Sequence, residues 1–317
     1  MKLSVIIPVY NVEAYVGKAL ESVFNTTAPA DAFEVIVVND GTQDGSMEVV
    51  RKFSDRPNIT VLEQENQGLS AARMNGLAQA GGEYVWFVDS DDYLTEDAVR
   101  KVLDRLEDSH DDVLLFPRLH VLEEGEKGRL DIDVQKEIVV EGKSVIRDLG
   151  IPVYPSQRFV LKRSLFDSPW LFFPLGLLHE DEYFGPVLMC LAERVRVLKD
   201  PVYYQRHRTG SITSGLTVRS SYDLVSVHQL LMKFMDNHLG PEDQGWFKSY
   251  CCHRLMTSYR RDSRYFGTPA FHRFVRQEGR YVREQWRRAN PEASLRKKVG
   301  RFLFFTMPVL YTKWRLS

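Results

Sequence analysis

The sequence predicts an α/β fold: a mostly parallel central sheet flanked by helices, followed by a helical C-terminal extension. Three observations predict it. Short, continuous apolar and β-branched runs recur through the first 120 residues, as expected of strands buried on both faces. Helix-periodic segments separate those runs, which makes the strands parallel with right-handed crossovers. After Val218 the chain reads as long helical segments with polar faces.

Taken in order, "LSVIIPVY" (Leu3–Tyr10) is the first strand. Asn11 can cap a helix whose apolar face is Val12, Val16, Ala19, Leu20, Val23 and Phe24. "FEVIVV" (Phe33–Val38) is the second strand, "SMEVVRKF" from Ser46 the second helix, and "ITVLEQ" (Ile59–Gln64) the third strand. "SAARMNGLAQA" (Ser70–Ala80) is a third helix, ended by Gly81-Gly82. "YVWFV" (Tyr84–Val88) is the fourth strand, Thr95 is the expected cap of the helix "EDAVRKVLDRLE", and "DVLLFP" (Asp112–Pro117) is the fifth strand. Residues 122–150 read as a charged hairpin with Gly125 and Gly128 near its turn, and 151–213 as an aromatic, proline-rich stretch.

The bulk properties narrow the function classes. The 317 residues are 44% hydrophobic, enough for a sizeable core, and the net charge of −1 points to no partner. The charge is unevenly spread, however. Residues 251–317 hold 16 Lys and Arg against 4 Asp and Glu, while residues 1–250 hold 26 against 39. That asymmetry points the C-terminal region at an anionic surface. Nucleic acid is excluded, because no recognition motif accompanies the charge. The cysteines, Cys190, Cys251 and Cys252, lack CxxC spacing, which fits a reducing compartment and no zinc site. "LSVIIPV" is too short and too proline-broken for a signal peptide, and "FLFFTMPVLY" (Phe302–Tyr311) too short to span a bilayer.

Ligands of such sheets bind beyond the carboxyl ends of the strands, which selects the turns after strands one, two and four. In "DSDD", Asp89 and Asp91 are alternate residues of an extended segment and can face one site. Oxygen ligands of this kind suit Mg²⁺ or Mn²⁺; acids after a strand also turn chains and cap helices. "VVNDGTQDGS" places Asp40 past a buried strand beside Gly41 and Gly45, without the GxGxxG spacing of a dinucleotide site. Arg73, one turn into the third helix, can face a phosphate or base, or simply solvent. "HEDEYF" puts Glu180, Asp181 and Glu182 at a helix start, where a carboxylate is either a cap or a general base. "YYQRHRTGSIT" holds three cations, Arg206, His207 and Arg208. The arginines can stabilise a diphosphate leaving group, and His207 can complete a metal site.

Together, "SVIIPVYN", "VNDGTQDGS", "NQGLSAARMNG", "FVDSDD", "EDEYF" and "YYQRHRTGSIT" occur in the order of the inverting family-2 glycosyltransferases of the GT-A fold, which residues 1–213 resemble. The resemblance is to members of the bacterial polysaccharide and lipopolysaccharide type. It implies a nucleotide-sugar donor, most often a UDP-sugar, and a glycan or lipid-linked sugar acceptor. It further implies that Pro8, Tyr10 and Asp40 line the nucleoside pocket and that Arg73 approaches the base or ribose. Asp89 would hold the ribose with Ser90 beside it, and Asp91 would bind Mn²⁺ or Mg²⁺ with His207 as a further metal ligand. Arg206 and Arg208 would face the diphosphate, and Asp181 would be the base. Here the family's Glu-Asp pair is Glu-Asp-Glu, so Glu180 and Glu182 compete for that role. The expected domains are a catalytic one over 1–215 (nucleotide-binding 1–120, acceptor-side 121–215) and a basic helical region over 216–317. The expected location is the cytoplasm, peripherally on the inner face of the membrane. A nucleotidyltransferase would need a Gly-rich, Lys-bearing loop after the first strand, where "PVYNVEAY" stands. A degenerate scaffold would have no need of Asp40, Asp91 and Asp181.

Overall fold

The computed structural model describes residues 1–107, 109–121, 128–207, 218–261 and 268–289. The chain divides into two compact units, Met1–Gly176 with Phe184–Thr209, and Leu177–Tyr183 with Gly210–Ser317.

The first unit begins with β1 (Leu3–Val9), α1 (Glu13–Phe24), β2 (Phe33–Asp40), α2 (Ser46–Arg51), β3 (Ile59–Gln64), α3 (Leu69–Gln79) and β4 (Tyr84–Phe87). Strands β3, β2, β1 and β4 lie side by side and parallel, as the alternation of periods predicts. All of β1 and β4 is buried, and α1 turns Val16, Ala19, Leu20 and Val23 onto the sheet. Pro8 is tolerated in this central strand for a local reason. The Val88 amide bonds to the Ile6 carbonyl, the last such bond to that side. The missing N–H of Pro8, two residues on, faces the gap beyond the end of β4. Helix α3 rides close on β1 because residue 76 is glycine: a Cβ there would lie 2.5 Å from Ile6 Cγ2.

Beyond β4 follow β5 (Tyr93–Leu94), α4 (Ala98–Leu106), β6 (Val113–Leu115), β7 (Arg118–Val121), β8 (Arg129–Leu130), β9 (Ile138–Val140) and α5 (Gly142–Arg147). Then come a 3₁₀ turn at Ser156–Arg158, β10 (Phe159–Lys162), a second such turn at Arg163–Asp167, α6 (Glu180–Leu191), β11 (Val195–Val197) and β12 (Tyr203–Arg206). The eight-stranded sheet runs β3-β2-β1-β4-β10-β6-β11-β9, and a second sheet runs β5-β12-β7-β8.

Four expectations are corrected. The aromatic stretch, read without a strand, contributes β10, which inserts between β4 and β6, antiparallel to both. Asn11 does not cap α1. It sits at φ 52° with its Oδ1 taking the Gln43 amide, and the amides of Val12 and Glu13 go to Ser46 and Asp44 instead. Thr95 is no side-chain cap of α4, since its hydroxyl is buried without a hydrogen-bond partner. The hairpin expected over residues 122–150 starts earlier than that, since its first paired strand is β7, which meets β8 at Leu119–Leu130 and His120–Arg129; Gly125 lies outside the described residues.

The second unit is helical: α7 (Val218–His238), α8 (Pro241–Arg261) and α9 (Pro269–Ala289). Phe234 and Phe247 meet between α7 and α8 with ring centroids 5.8 Å apart, and Tyr222 meets Phe274 of α9 at 4.8 Å. Helix α7 also fastens the segment leading into α6. Asp223 accepts the Leu178 amide at 3.2 Å, and Ser220 bonds His179 at 2.6 Å. Among the described residues no helix is long and apolar enough to cross a membrane.

Candidate active site

The turns after β1, β2 and β4 converge on one rim, as parallel order requires. Asp40 ends β2 and is buried. Its carboxylate accepts from Gln64 Nε2, the Gln67 amide and the Gly68 amide, at 2.8, 2.8 and 2.9 Å. Asp40 thereby fixes the loop that leads into α3. Gly41 follows with φ +68°, and a Cβ there would lie 2.9 Å from the Asn66 amide nitrogen, so this turn needs glycine. Tyr10 stands out from the rim, 45% exposed.

Arg73 is not a solvated helix residue. It is fully buried, its guanidinium 5.0 Å from the Phe173 ring centroid, and Nη2 donates to Asp89 at 2.9 Å. Phe173 in turn stacks on Phe184 at 4.1 Å and is part of the core. The other Asp89 oxygen accepts from Gln157 Nε2. Gln157 sits in the 3₁₀ turn before β10, and its carbonyl accepts the Trp86 indole N–H at 2.9 Å. Nothing in the sequence marks Gln157, which lies far along the chain in a stretch without a motif.

Asp89, Asp91 and Asp92 each bring a carboxylate oxygen within 4.8 Å of the other two. Asp92 is the buried member. It accepts the Tyr203 hydroxyl at 2.7 Å and the Arg206 amide at 2.8 Å, so it clasps β12 to the acidic turn. The Asp89 amide donates back to the same hydroxyl at 3.2 Å. Burial, then the charges of Asp91 and Asp89, push the Asp92 carboxyl well above the usual carboxylate range, against those two hydrogen bonds. Ser90 is buried between the aspartates, and Asp91 is half-exposed. An all-oxygen donor set of this kind fits a hard divalent cation.

The remaining expected residues are distributed differently. His207 is not in the carboxylate group. Its Nε2 lies 2.6 Å from His120 Nδ1, with the two rings stacked at 4.9 Å. Burial first, then the charges of His120 and Arg118, lower its pKa. Asp131 backs this pair, 3.7 Å from His120, and is held by Arg118 and Arg158. The Arg206 guanidinium rests over the rings of Tyr15 and Tyr93, at 5.0 and 5.1 Å. Arg208 lies outside the described residues. Asp181 is in the first turn of α6 and belongs to the second unit. Its neighbour Glu182 is committed to a two-pronged ion pair with Arg254 of α8.

Residues 4–168 match Glycosyl transferase family 2. That span is more than half of the chain. The chain belongs to glycosyl transferase family 2. It is 34% identical over 238 residues to Glycosyltransferase GlyA of Streptococcus pneumoniae serotype 4, covering 71% of this chain and 33% of that protein. It is 32% identical over 207 residues to the poly(ribitol-phosphate) beta-N-acetylglucosaminyltransferase TarS of Staphylococcus aureus, covering 64% of this chain and 35% of that protein. The chain thus spans about a third of the length of these two relatives. The crystal structure of S. aureus TarS 1–349 in complex with UDP-GlcNAc superposes with a TM-score of 0.67 at 26% identity, over 91% of this chain and 79% of that one. The fold is therefore that of the GT-A family-2 transferases, with C-terminal helices following it.

Proposed function

We propose that this family-2 member transfers a sugar from a nucleotide-diphosphate donor, a UDP-sugar, to a hydroxyl of a glycan or lipid-linked glycan, with inversion, in the synthesis of surface polysaccharide. The observation that carries the reading is the carboxylate group at the end of β4, oriented by buried Arg73 and Gln157 on one side and Tyr203 on the other. The relatives' names support the reaction class, and the UDP-GlcNAc bound to TarS supports the donor class.

In this reading Pro8, Tyr10 and Asp40 border the nucleoside, Asp89 with Ser90 holds the ribose, and Asp91 holds Mn²⁺ or Mg²⁺. Bound there, such a cation would supply positive charge to stabilise the departing diphosphate. Arg73 acts through Asp89, holding its carboxylate in place. Asp181 takes the proton of the acceptor hydroxyl as that oxygen attacks the anomeric carbon from the face opposite the leaving group. Glu182 is ill suited to this task, because both its oxygens are bonded by Arg254; Glu180 is the remaining competitor. The basic C-terminal region carries the protein to an anionic membrane face where lipid-linked acceptors reside.

The test pairs two variants in titration calorimetry and transfer assays. Asp91→Ala should lose Mn²⁺-dependent binding of UDP. Asp181→Asn should bind the donor as the parent does and transfer no sugar. An Asp181→Asn protein that loses the donor would remove Asp181 from the base role. A parent protein that no nucleotide-sugar stabilises in a melting panel, with or without Mn²⁺, would overturn the transferase reading, because a ligand at about 100 times its Kd adds ~2.7 kcal/mol of stability.

A further inference from the structure

The exposed face of α9 carries a feature that sugar transfer does not use. Arg273, Arg276, Arg280, Arg283 and Arg287 follow one another at spacings of three and four residues, and all five are exposed. At 3.6 residues per turn they fall within an arc of about 80°, along a line of about 21 Å. Neither acidic residue of the helix enters that arc. Glu278 is half-buried toward the packed side, and Glu284 pairs with Arg288 beyond the arc's edge. The opposite face is spent on the fold, with Phe274, Val282 and Gln285 buried among the helices of the second unit. A helix that needed only solubility would mix its charges. This one aligns five guanidiniums of one sign.

Deepening the membrane part of the reading above, on which it rests, we propose that the arginine stripe of α9 is the surface by which this chain docks on a bilayer rich in anionic phospholipid. Two facts favour a bilayer over a soluble polyanion. The stripe runs about 21 Å along one helix face, long enough to reach several headgroups at once. The sequence that follows it, residues 290–317, joins six further Lys and Arg to the apolar run Phe302–Tyr311, and basic with apolar residues together suit a lipid interface. The apolar face of α9 is already packed, so the helix lies on the headgroups rather than among the acyl chains.

The test is co-sedimentation of the full chain with vesicles of phosphatidylcholine alone and of phosphatidylcholine with an equal share of phosphatidylglycerol, at 0.1 M salt. The comparison protein is R276Q/R280Q/R287Q, whose three positions are exposed, with its melting temperature and UDP affinity measured alongside to confirm folding. The parent should partition to the anionic vesicles only. The variant should lose roughly a factor of 100, about fivefold per arginine, with UDP affinity unchanged. Equal binding by parent and variant would overturn the proposal, as would binding of the parent to both vesicle types. So would a parent that ignores vesicles but is captured by polyphosphate, since the stripe would then serve a soluble chain. In each of these cases intact UDP binding leaves the transferase reading standing.

Discussion

Removing the Gln157 carboxamide should weaken the donor without dismantling the fold. In Gln157→Ala the Trp86 indole keeps its partner, because that bond goes to the backbone carbonyl of residue 157. Asp89 loses one of its two side-chain donors and keeps Arg73. Hydrogen bonds to ionised groups contribute ~1.5–3 kcal/mol. The Asp89 side chain is 20% exposed, so water replaces part of the loss and the lower end applies. About 1.5 kcal/mol is roughly a tenfold rise in the Kd for UDP. The buried methylenes add a separate cost of about 1–2 kcal/mol to folding. Calorimetric titration with UDP and Mn²⁺ reads the first effect and urea denaturation the second. A Gln157→Ala protein that folds and binds UDP as tightly as the parent would refute the reasoning, because the position of Asp89 would then not matter to the donor.

Two further outcomes follow from the second unit. Arg254→Met leaves the nearly buried Glu182 carboxylate without its counter-ion and should cost about 3 kcal/mol; Glu182→Gln with Arg254→Met should recover part of that, and an equal loss in both would show that the ion pair is not what matters. His228 is buried against Tyr281 and Cys252, and burial first, then Arg288 and Lys248, lower its pKa to about 4. Its folded value lies below the unfolded one near 6.5, so its contribution is full above pH 6.5 and drains away as pH falls toward 4. The loss should reach about 2 kcal/mol by pH 5. Denaturation curves at pH 7 and pH 5 check this, and His228→Gln should flatten the difference.

The strands β1 to β4 were legible because a strand buried on both faces writes itself as a continuous apolar run, and the acidic turn because three carboxylates after such a strand need a reason. Strand β10 was not legible. Its four residues sit among aromatics and prolines, and its partners β4 and β6 lie some 45 to 75 positions earlier in the chain. Gln157 shares that obscurity, since a neutral amide becomes part of a site only through a contact with residues about seventy positions away. Caps failed for the same reason. Asn11 and Thr95 are good caps by local preference, but at Asn11 the loop 42–46 supplied better-placed acceptors from across the sheet. The burial of Arg73 could not be inferred from α3 either, because the ring that covers it, Phe173, comes a hundred residues later.

The position of β10 has a bearing on how the protein is made. Synthesis delivers β1 to β4 and the whole acidic turn well before Phe159 exists. Until then β4 has an open edge, with backbone groups ready to pair with any passing strand, and Asp89 has only one of its two holders. Insertion of β10 closes the edge and brings Gln157 to Asp89 in the same event. Pairing Trp86 with Val160 closes a loop about as long as pairing Leu3 with Tyr84, and both are entropically slower than the local β1–β2 and β2–β3 pairings. Competence to hold a donor should therefore arise late, as a property of the finished sheet and not of the motif-bearing half alone.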